Sequence, residues 1–293
     1  IRNKIVSSNY MIKSKKNVAH HYDLSDKLYD LFLDKDRQYS CAYFNSPNDT
    51  LEQAQQNKLE LIAKKLLLEK DQNVLDIGSG WGGMAAYLSK RSNVNVKGVT
   101  LSEEQIAYSQ QRKIDDSLDQ VQYELQDYRK VREKYDRIVS VGMFEHVGTA
   151  HYQEFFNKVY DLLNQKGVAL IHTIGRIDGP TTNDPWIEKY IFPGGYIPAL
   201  SEVMKRVEKS GLTTTDVQIL KFHYAETLKR WRYNFYDNLD KIKELYDEKF
   251  CRMWDFYLSS SQASFEESSL VIFQLQLSKD KKTVPDHRDY LFA

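Results

Sequence analysis

Val74-Leu75-Asp76-Ile77-Gly78-Ser79-Gly80-Trp81-Gly82-Gly83 decides how this 293-residue chain folds. The apolar run around one acid reads as a short buried strand, and the glycines after it turn the backbone sharply into a helix starting near Trp81. Such a strand-loop-helix cradle receives a polar ligand on its exposed N–H groups and helix N-terminus, because glycine carries no Cβ to hold the ligand away. A glycine-rich structural turn has the same look, so the spacing alone says only that a nucleotide-like cofactor fits.

Outward from the loop, strand and helix patterns alternate, which implies parallel strands joined by crossover helices. Strands are expected over residues 94–100, 121–126, 137–141 and 168–173, with helices over 82–91, 103–118 and 151–163. An irregular insert, 175–199, holds Pro180, Pro185, Pro193, Pro198 and Gly194-Gly195. After it come a helix ending at Gly211, a strand over 213–220, one or two long helices over 228–258 and a last strand over 269–277. Upstream of the loop, the helical spacing of Leu24, Leu28, Leu31 and Phe32 predicts a helix over 18–34 capped by Asp23 or Ser25. The aromatic loop Tyr39-Ser40-Cys41-Ala42-Tyr43-Phe44 follows, then a helix over about 51–69. The expected fold is α/β: a doubly wound, mostly parallel seven-stranded sheet ending in an antiparallel hairpin, with N-terminal helices and a helical lid or insert. Residues 21–280 form the expected catalytic domain, between a basic arm over 1–20 and a C-terminal tail over 281–293.

Composition narrows the function. Hydrophobic residues make up 41% and charged residues 28%, as in an ordinary globular protein. With 41 basic against 41 acidic residues there is no global pull toward nucleic acid. No run approaches the roughly 18 apolar residues of a membrane span, and no export signal opens the chain. Two cysteines, Cys41 and Cys251, fit a reducing cytoplasm rather than a disulfide framework. The chain begins at Ile1 rather than at a methionine, so residues upstream are expected. The first 22 residues carry Arg2, Lys4, Lys13, Lys15 and Lys16 and no acid, which suits either a solvated linker or a segment lying on anionic lipid.

Dinucleotide sites usually offer G-x-G-x-x-G and an acid at the tip of the second strand. Here the spacing is Gly78-x-Gly80-x-Gly82, and the second strand ends Gly98-Val99-Thr100-Leu101-Ser102 without an acid. Both departures favour a methyl-donor pocket. In that geometry Asp76 with Gly78 and Gly80 holds the methionine part, residues after the second strand hold the ribose, and Asp127 with Tyr128 frames the adenine. A solvated acid at a strand end is the plainer reading of Asp127 by itself.

With these residues placed, the chain resembles the cyclopropane-fatty-acyl-phospholipid synthases, S-adenosylmethionine-dependent enzymes related to the mycolic acid cyclopropane synthases. The likeness runs from about His21 to Leu277. It includes His21-Tyr22-Asp23, Tyr39-Ser40-Cys41-Ala42-Tyr43, the glycine loop, Gln105 and Gln126-Asp127-Tyr128. It continues through Gly142-Met143-Phe144-Glu145-His146-Val147-Gly148, His172-Thr173-Ile174-Gly175 and Asp184-Pro185-Trp186-Ile187. On this resemblance Tyr39, Ser40, Trp81, Thr100, Leu101 and Gln105 join Asp76, Gly78, Gly80, Asp127 and Tyr128 as donor-binding residues.

The resemblance implies transfer of a methyl(ene) group from S-adenosylmethionine to the cis double bond of an acyl chain in a membrane phospholipid. An alkene has no proton to lose, so the first step needs no base, and it leaves a carbocation. Aromatic faces stabilise such a charge without bonding to it. Tyr22 is the first choice for that ring, with Tyr39, Tyr43, Phe44, Phe144 and Tyr224 as further candidates. Ring closure then needs a base. The family holds a bicarbonate ion for it, with ligands that map to Cys41, Glu145, His172, the N–H of Ile174, and Tyr224. Each has a plainer explanation alone, as a small buried hydrophobe, a helix-start acid, a core histidine or a packing residue.

Some relatives carry a cysteine in the region of Ser259-Ser260-Ser261, and this chain has none there, while Cys251 reads as structural. No metal is called for. The expected setting is cytoplasmic, in transient contact with the inner membrane face through the basic arm and the apolar insert around Trp186, Ile187, Ile191 and Phe192. Unsaturated phospholipids are the expected partners, a homodimer is left open, and an upstream lipid-binding domain belongs to full-length relatives. The rival readings are methyl branching or amine methylation without ring closure, and a non-catalytic lipid- or cofactor-binding protein.

Overall fold

The computed structural model describes residues 26–292. The basic arm, Tyr22, Asp23 and Ser25 lie outside them. Helix α1 (Asp26–Phe32) buries Leu28, Tyr29 and Phe32. Helix α2 (Leu51–Leu66) starts at Thr50, whose hydroxyl accepts from the Gln53 N–H. It stops short of the expected Glu69 because Leu67 turns left-handed and returns its N–H to the Lys64 carbonyl.

The alternation then runs β1 (Asn73–Ile77), α3 (Gly83–Ser92), β2 (Asn95–Thr100), α4 (Glu103–Asp115), β3 (Val121–Leu125), β4 (Tyr135–Val141), α5 (Tyr152–Leu162) and β5 (Leu163–Arg176). After it come α6 (Pro185–Tyr190), α7 (Leu200–Ser210), β6 (Thr213–Leu220), α8 (His223–Asp237), α9 (Leu239–Leu245), α10 (Glu248–Glu267) and β7 (Leu270–Ser278). Among the described residues the seven strands form one sheet in the order β3-β2-β1-β4-β5-β7-β6. Strands β1 to β5 run parallel, and β7 is antiparallel to both of its neighbours. This is the doubly wound sheet with its closing hairpin, and it sets the carboxyl ends of β1, β2, β4 and β5 along one edge.

Two elements differ from their sequence reading. The stretch over 228–258 is three helices, because Asn238 ends α8 and Asp247 caps α10 by accepting from the Phe250 N–H. Helix α8 also begins at His223, which puts Tyr224 on its first turn. The insert contains only the short α6, nucleated where Asp184 accepts from the Trp186 and Ile187 N–H groups.

Apolar clusters cover both faces of the sheet, one around Phe144, Phe155 and Phe156 and the other around Ile62, Leu88 and Val96. A third joins α1, α8 and α10 through Phe32, Trp231, Phe235 and Trp254 into a helical cap over the strand ends. Cys251 is buried in this cap, consistent with a packing role. The tail folds back: Arg288 pairs with Asp216 of β6, and Lys64 donates to the Leu291 carbonyl at 3.1 Å.

Candidate active site

Two adjoining cavities open along the carboxyl edge of the sheet. The first lies over the glycine loop. Gly78, at φ +81°, lets the chain leave β1 against Met143, and an added Cβ would stand 2.7 Å from the Met143 side chain. The N–H groups of Gly78 and Ser79, expected to face a ligand, instead donate to the Val99 carbonyl at 2.9 and 3.0 Å and pin the loop to β2. Two side-chain groups are left for a ligand here: Asp76 Oδ2 and Ser79 Oγ are buried with no hydrogen-bond partner among the described residues. Burial pushes the Asp76 carboxyl up to about 7, against the pull of Lys58.

All eleven expected donor-binding residues line this cavity: Tyr39, Ser40, Asp76, Gly78, Gly80, Trp81, Thr100, Leu101, Gln105, Asp127 and Tyr128. Tyr39 and Ser40 arrive on the strap between α1 and α2, which Lys58 holds by donating to Gln38 Oε1 at 2.6 Å and Ser40 Oγ at 2.9 Å. Thr100 donates to Gln105 Oε1 at 2.7 Å across the β2–α4 turn. Asp127 is not merely solvated: Arg129 grips it at 2.9 and 2.6 Å while reaching over the Tyr128 ring. Arg37, Gln38, Met143 and His146 also line the cavity, and no sequence expectation named them as site residues. Arg37 lies 4.0 Å over Tyr108 and 4.9 Å over Trp81, with its far edge on Asp30. The only sequence signal for Arg37 and Gln38 is that they directly precede Tyr39.

The second cavity shares Tyr39, Ser40, Gly142 and His146 with the first, so the two meet at the strap and at the end of β4. Its walls are apolar, with Trp186, Ile187, Phe192, Phe256 and Phe265 among them. Cys41, Glu145, His172, Ile174 and Tyr224 all line it. Glu145 Oε1 accepts from the Ile174 N–H at 2.6 Å, so that N–H is committed to the carboxyl. Glu145 Oε2 and His172 Nε2 are buried with no partner among the described residues. Burial pushes the Glu145 carboxyl up to about 7, and it holds His172 well below the usual histidine range and thus neutral. Burial raises the Cys41 thiol far above neutrality, so it stays protonated and donates to the Ala42 carbonyl at 3.2 Å.

Not every aromatic candidate reaches this cavity. Tyr39 and Tyr224 line it. Phe144 points the other way, into the core against Tyr152 at 4.4 Å, because neighbours in the tight turn Phe144–His146 project in different directions. Tyr43 stacks on His223 at 4.7 Å, and Phe44 lies under Arg230 at 4.3 Å, both off the cavity wall. Ile191, expected to face a bilayer, is buried, and Trp186, Ile187 and Phe192 turn inward as wall. Ser260, Ser261 and Ser264 line one side of the cavity.

A sheet of this order with a donor-shaped cavity over its glycine loop defines a class I S-adenosylmethionine-dependent methyltransferase. The comparisons narrow this further. Residues 10–275 match the family described as mycolic acid cyclopropane synthetase. The chain is 40% identical over 274 residues to the cyclopropane-fatty-acyl-phospholipid synthase of Escherichia coli K12, across 92% of this chain and 70% of that one. It is 37% identical over 279 residues to cyclopropane mycolic acid synthase 3 of Mycobacterium tuberculosis, across 90% and 96% of the two chains. The structure of the M. tuberculosis cyclopropane synthase MmaA2 superposes with a TM-score of 0.85 at 34% identity, over 90% of this chain and 98% of that chain. The mycolic acid cyclopropane synthase CmaA1, complexed with SAH and CTAB, matches with the same score and identity over 90% and 97%. This chain belongs to the mycolic acid cyclopropane synthetase family, S-adenosylmethionine-dependent methyltransferases acting on lipid.

Proposed function

We propose that the chain transfers a methyl group from S-adenosylmethionine to the cis double bond of an unsaturated acyl chain in a membrane phospholipid and closes it to a cyclopropane. The observation that carries this reading is the junction of the two cavities. A polar donor pocket opens, across Tyr39, Ser40, Gly142 and His146, into an apolar hollow whose inner end holds Glu145, His172, Cys41 and Tyr224. An alkene inserted there meets a sulfonium methyl in surroundings that exclude water.

As the new carbon–carbon bond forms, the S–CH3 bond breaks, and the positive charge passes to the alkene carbon. The rings of Tyr39 and Tyr224 suit that charge, because their faces stabilise a cation without alkylation. Closure removes one proton from the transferred methyl, and its C–H electrons make the third ring bond. The inner end fits a small anion: Glu145 Oε2 and His172 Nε2 are unpartnered on residues that line the cavity, a neutral His172 can donate from one ring nitrogen, and burial favours the protonated Glu145 that can donate from its carboxyl. Bicarbonate held by Glu145, His172, Cys41 and Tyr224 supplies a base for the proton. The Ile174 N–H holds Glu145 Oε1, which leaves Oε2 to the anion.

The lipid enters from the surface around Phe256 and Tyr190, which stand exposed beside Trp186 with Lys189 against the Tyr190 ring. Peripheral contact of this rim with an anionic bilayer follows from the combination of aromatic and basic side chains.

The test is Glu145→Gln, assayed with monounsaturated phospholipid vesicles. S-adenosylhomocysteine affinity stays within about threefold while turnover drops on the order of a hundredfold or more, the scale of losing one group that acts in the transition state. Near-normal turnover would remove Glu145 from the mechanism.

A further inference from the structure

We propose that Lys65 and Gln274 are positioning residues that lock the His172 imidazole as the tautomer with its hydrogen on Nε2, facing the second cavity. The role of that hydrogen rests on the anion reading above; the locking itself does not.

The argument begins with register. His172 on β5 stands directly across from Gln274 on β7, and Gln274 across from Gln218 on β6, so the three side chains form one row over the sheet. Lys65, on the last turn of α2, is fully buried against this row. Its ammonium donates to Gln274 Oε1 at 2.8 Å and to Gln218 Oε1 at 2.5 Å, with Asp216 Oδ2 at 3.8 Å balancing the charge.

An ammonium has hydrogens only to give, so Gln274 must turn its carbonyl oxygen toward Lys65. That orientation leaves the amide nitrogen on the other side, 3.1 Å from His172 Nδ1. The amide nitrogen also has only hydrogens to give, so Nδ1 must accept with its lone pair. A neutral imidazole whose Nδ1 accepts carries its one hydrogen on Nε2. Nε2 is the buried ring atom with no partner among the described residues, on a residue that lines the second cavity. The ring stays neutral because burial opposes its charging, reinforced by the nearby cations of Lys58 and Lys65.

A buried ammonium is a costly way to fill a helix–sheet contact, since an apolar side chain of similar length packs there without desolvation. Its use here is to remove the freedom of an amide that would otherwise flip. If Gln274 flipped, its oxygen would accept from Nδ1, the hydrogen would leave Nε2, and His172 would present a lone pair to the cavity. An anion at the inner end would then meet repulsion instead of a donor.

The ring nitrogens are read directly by 15N NMR of the full chain with labelled histidine, the His172 signals being assigned by their loss in His172→Asn. With neither anion nor substrate added, the wild-type protein shows hydrogen on Nε2 and a bare Nδ1. Hydrogen on Nδ1, or on both nitrogens near neutral pH, overturns the proposal. In Gln274→Leu and in Lys65→Met the two tautomers mix, and the bicarbonate concentration for half-maximal turnover rises about tenfold or more, the scale of a lost donor. Turnover at saturating bicarbonate recovers to within about threefold, which a merely structural defect would not allow. A folded Gln274→Leu protein that keeps the wild-type tautomer also overturns it. Because the spectrum is taken without anion, it tests the locking by Lys65 and Gln274 even if bicarbonate proves not to be the base.

Discussion

Burial sets the chemistry of Asp76 and Glu145 before any ligand arrives. Both carboxyls are pushed to about 7 from ordinary values of 3.8 and 4.5, chiefly by desolvation. The folded state therefore binds their protons more tightly than the unfolded chain. Their stabilising contribution, on the order of 4 kcal/mol per group relative to high pH, is full below about pH 4 and is lost as pH rises through about 7. Thermal unfolding from pH 5 to 8 should thus fall more steeply for the wild type than for Asp76→Asn/Glu145→Gln; parallel curves would contradict this. On the proposed donor site the same shift sets ligand affinity, because the ammonium of the ligand's amino-acid part favours the Asp76 carboxylate. Calorimetric binding of S-adenosylhomocysteine should weaken by up to about tenfold per pH unit below about 7. Asp76→Asn should flatten that dependence. Residues within distinctive strings, such as Cys41, Glu145 and His172, were legible because their neighbours identified them. Gln274 and Lys65 were not, since a buried amide and a helical lysine have no local signature and acquire meaning only when three strands set Gln274 in a row with His172 and α2 lays Lys65 against it.

At the scale of elements, the sheet was legible because helical periods separate β1 from β2, β2 from β3 and β4 from β5, and the glycine loop marks where the order begins. Helix ends were less so. Hydrophobic periodicity continues through Asn238 and Asp247, so the breaks that make three helices of 228–258 come from caps that periodicity does not register. The β5–β7 pairing also hides a close approach: a Cβ on Gly175 would fall 1.9 Å from the Phe273 ring, which is fully buried. Gly175→Ala must then displace that ring, at a cost of about 3 kcal/mol or more. Denaturant titration measures it, and a loss under about 0.5 kcal/mol would mean the two strands are not packed as described.

The whole molecule places a polar pocket and an apolar one on the same edge, divided by a strap that sequence reading recognised and joined through walls it did not. Of the insert residues expected to face lipid, Ile191 is buried and Trp186, Ile187 and Phe192 line the cavity, while Phe256, also on the cavity wall, and Tyr190 stand exposed beside Trp186. Tyr190→Asp with Lys189→Glu, both exposed and off the cavity wall, should lower activity on anionic vesicles about tenfold or more while sparing detergent-dispersed lipid, because it removes interfacial burial and adds charge repulsion. Equal losses in both assays would place the entrance elsewhere. The most direct test of the central claim uses S-adenosylmethionine labelled with 13C in its methyl group and vesicles of a cis-monounsaturated phospholipid. The predicted result is one S-adenosylhomocysteine per lipid converted, with the label in a cyclopropane methylene by NMR of the extracted lipid. Label in a methyl or methylidene branch or on an amine, or no label in the lipid at all, would contradict it.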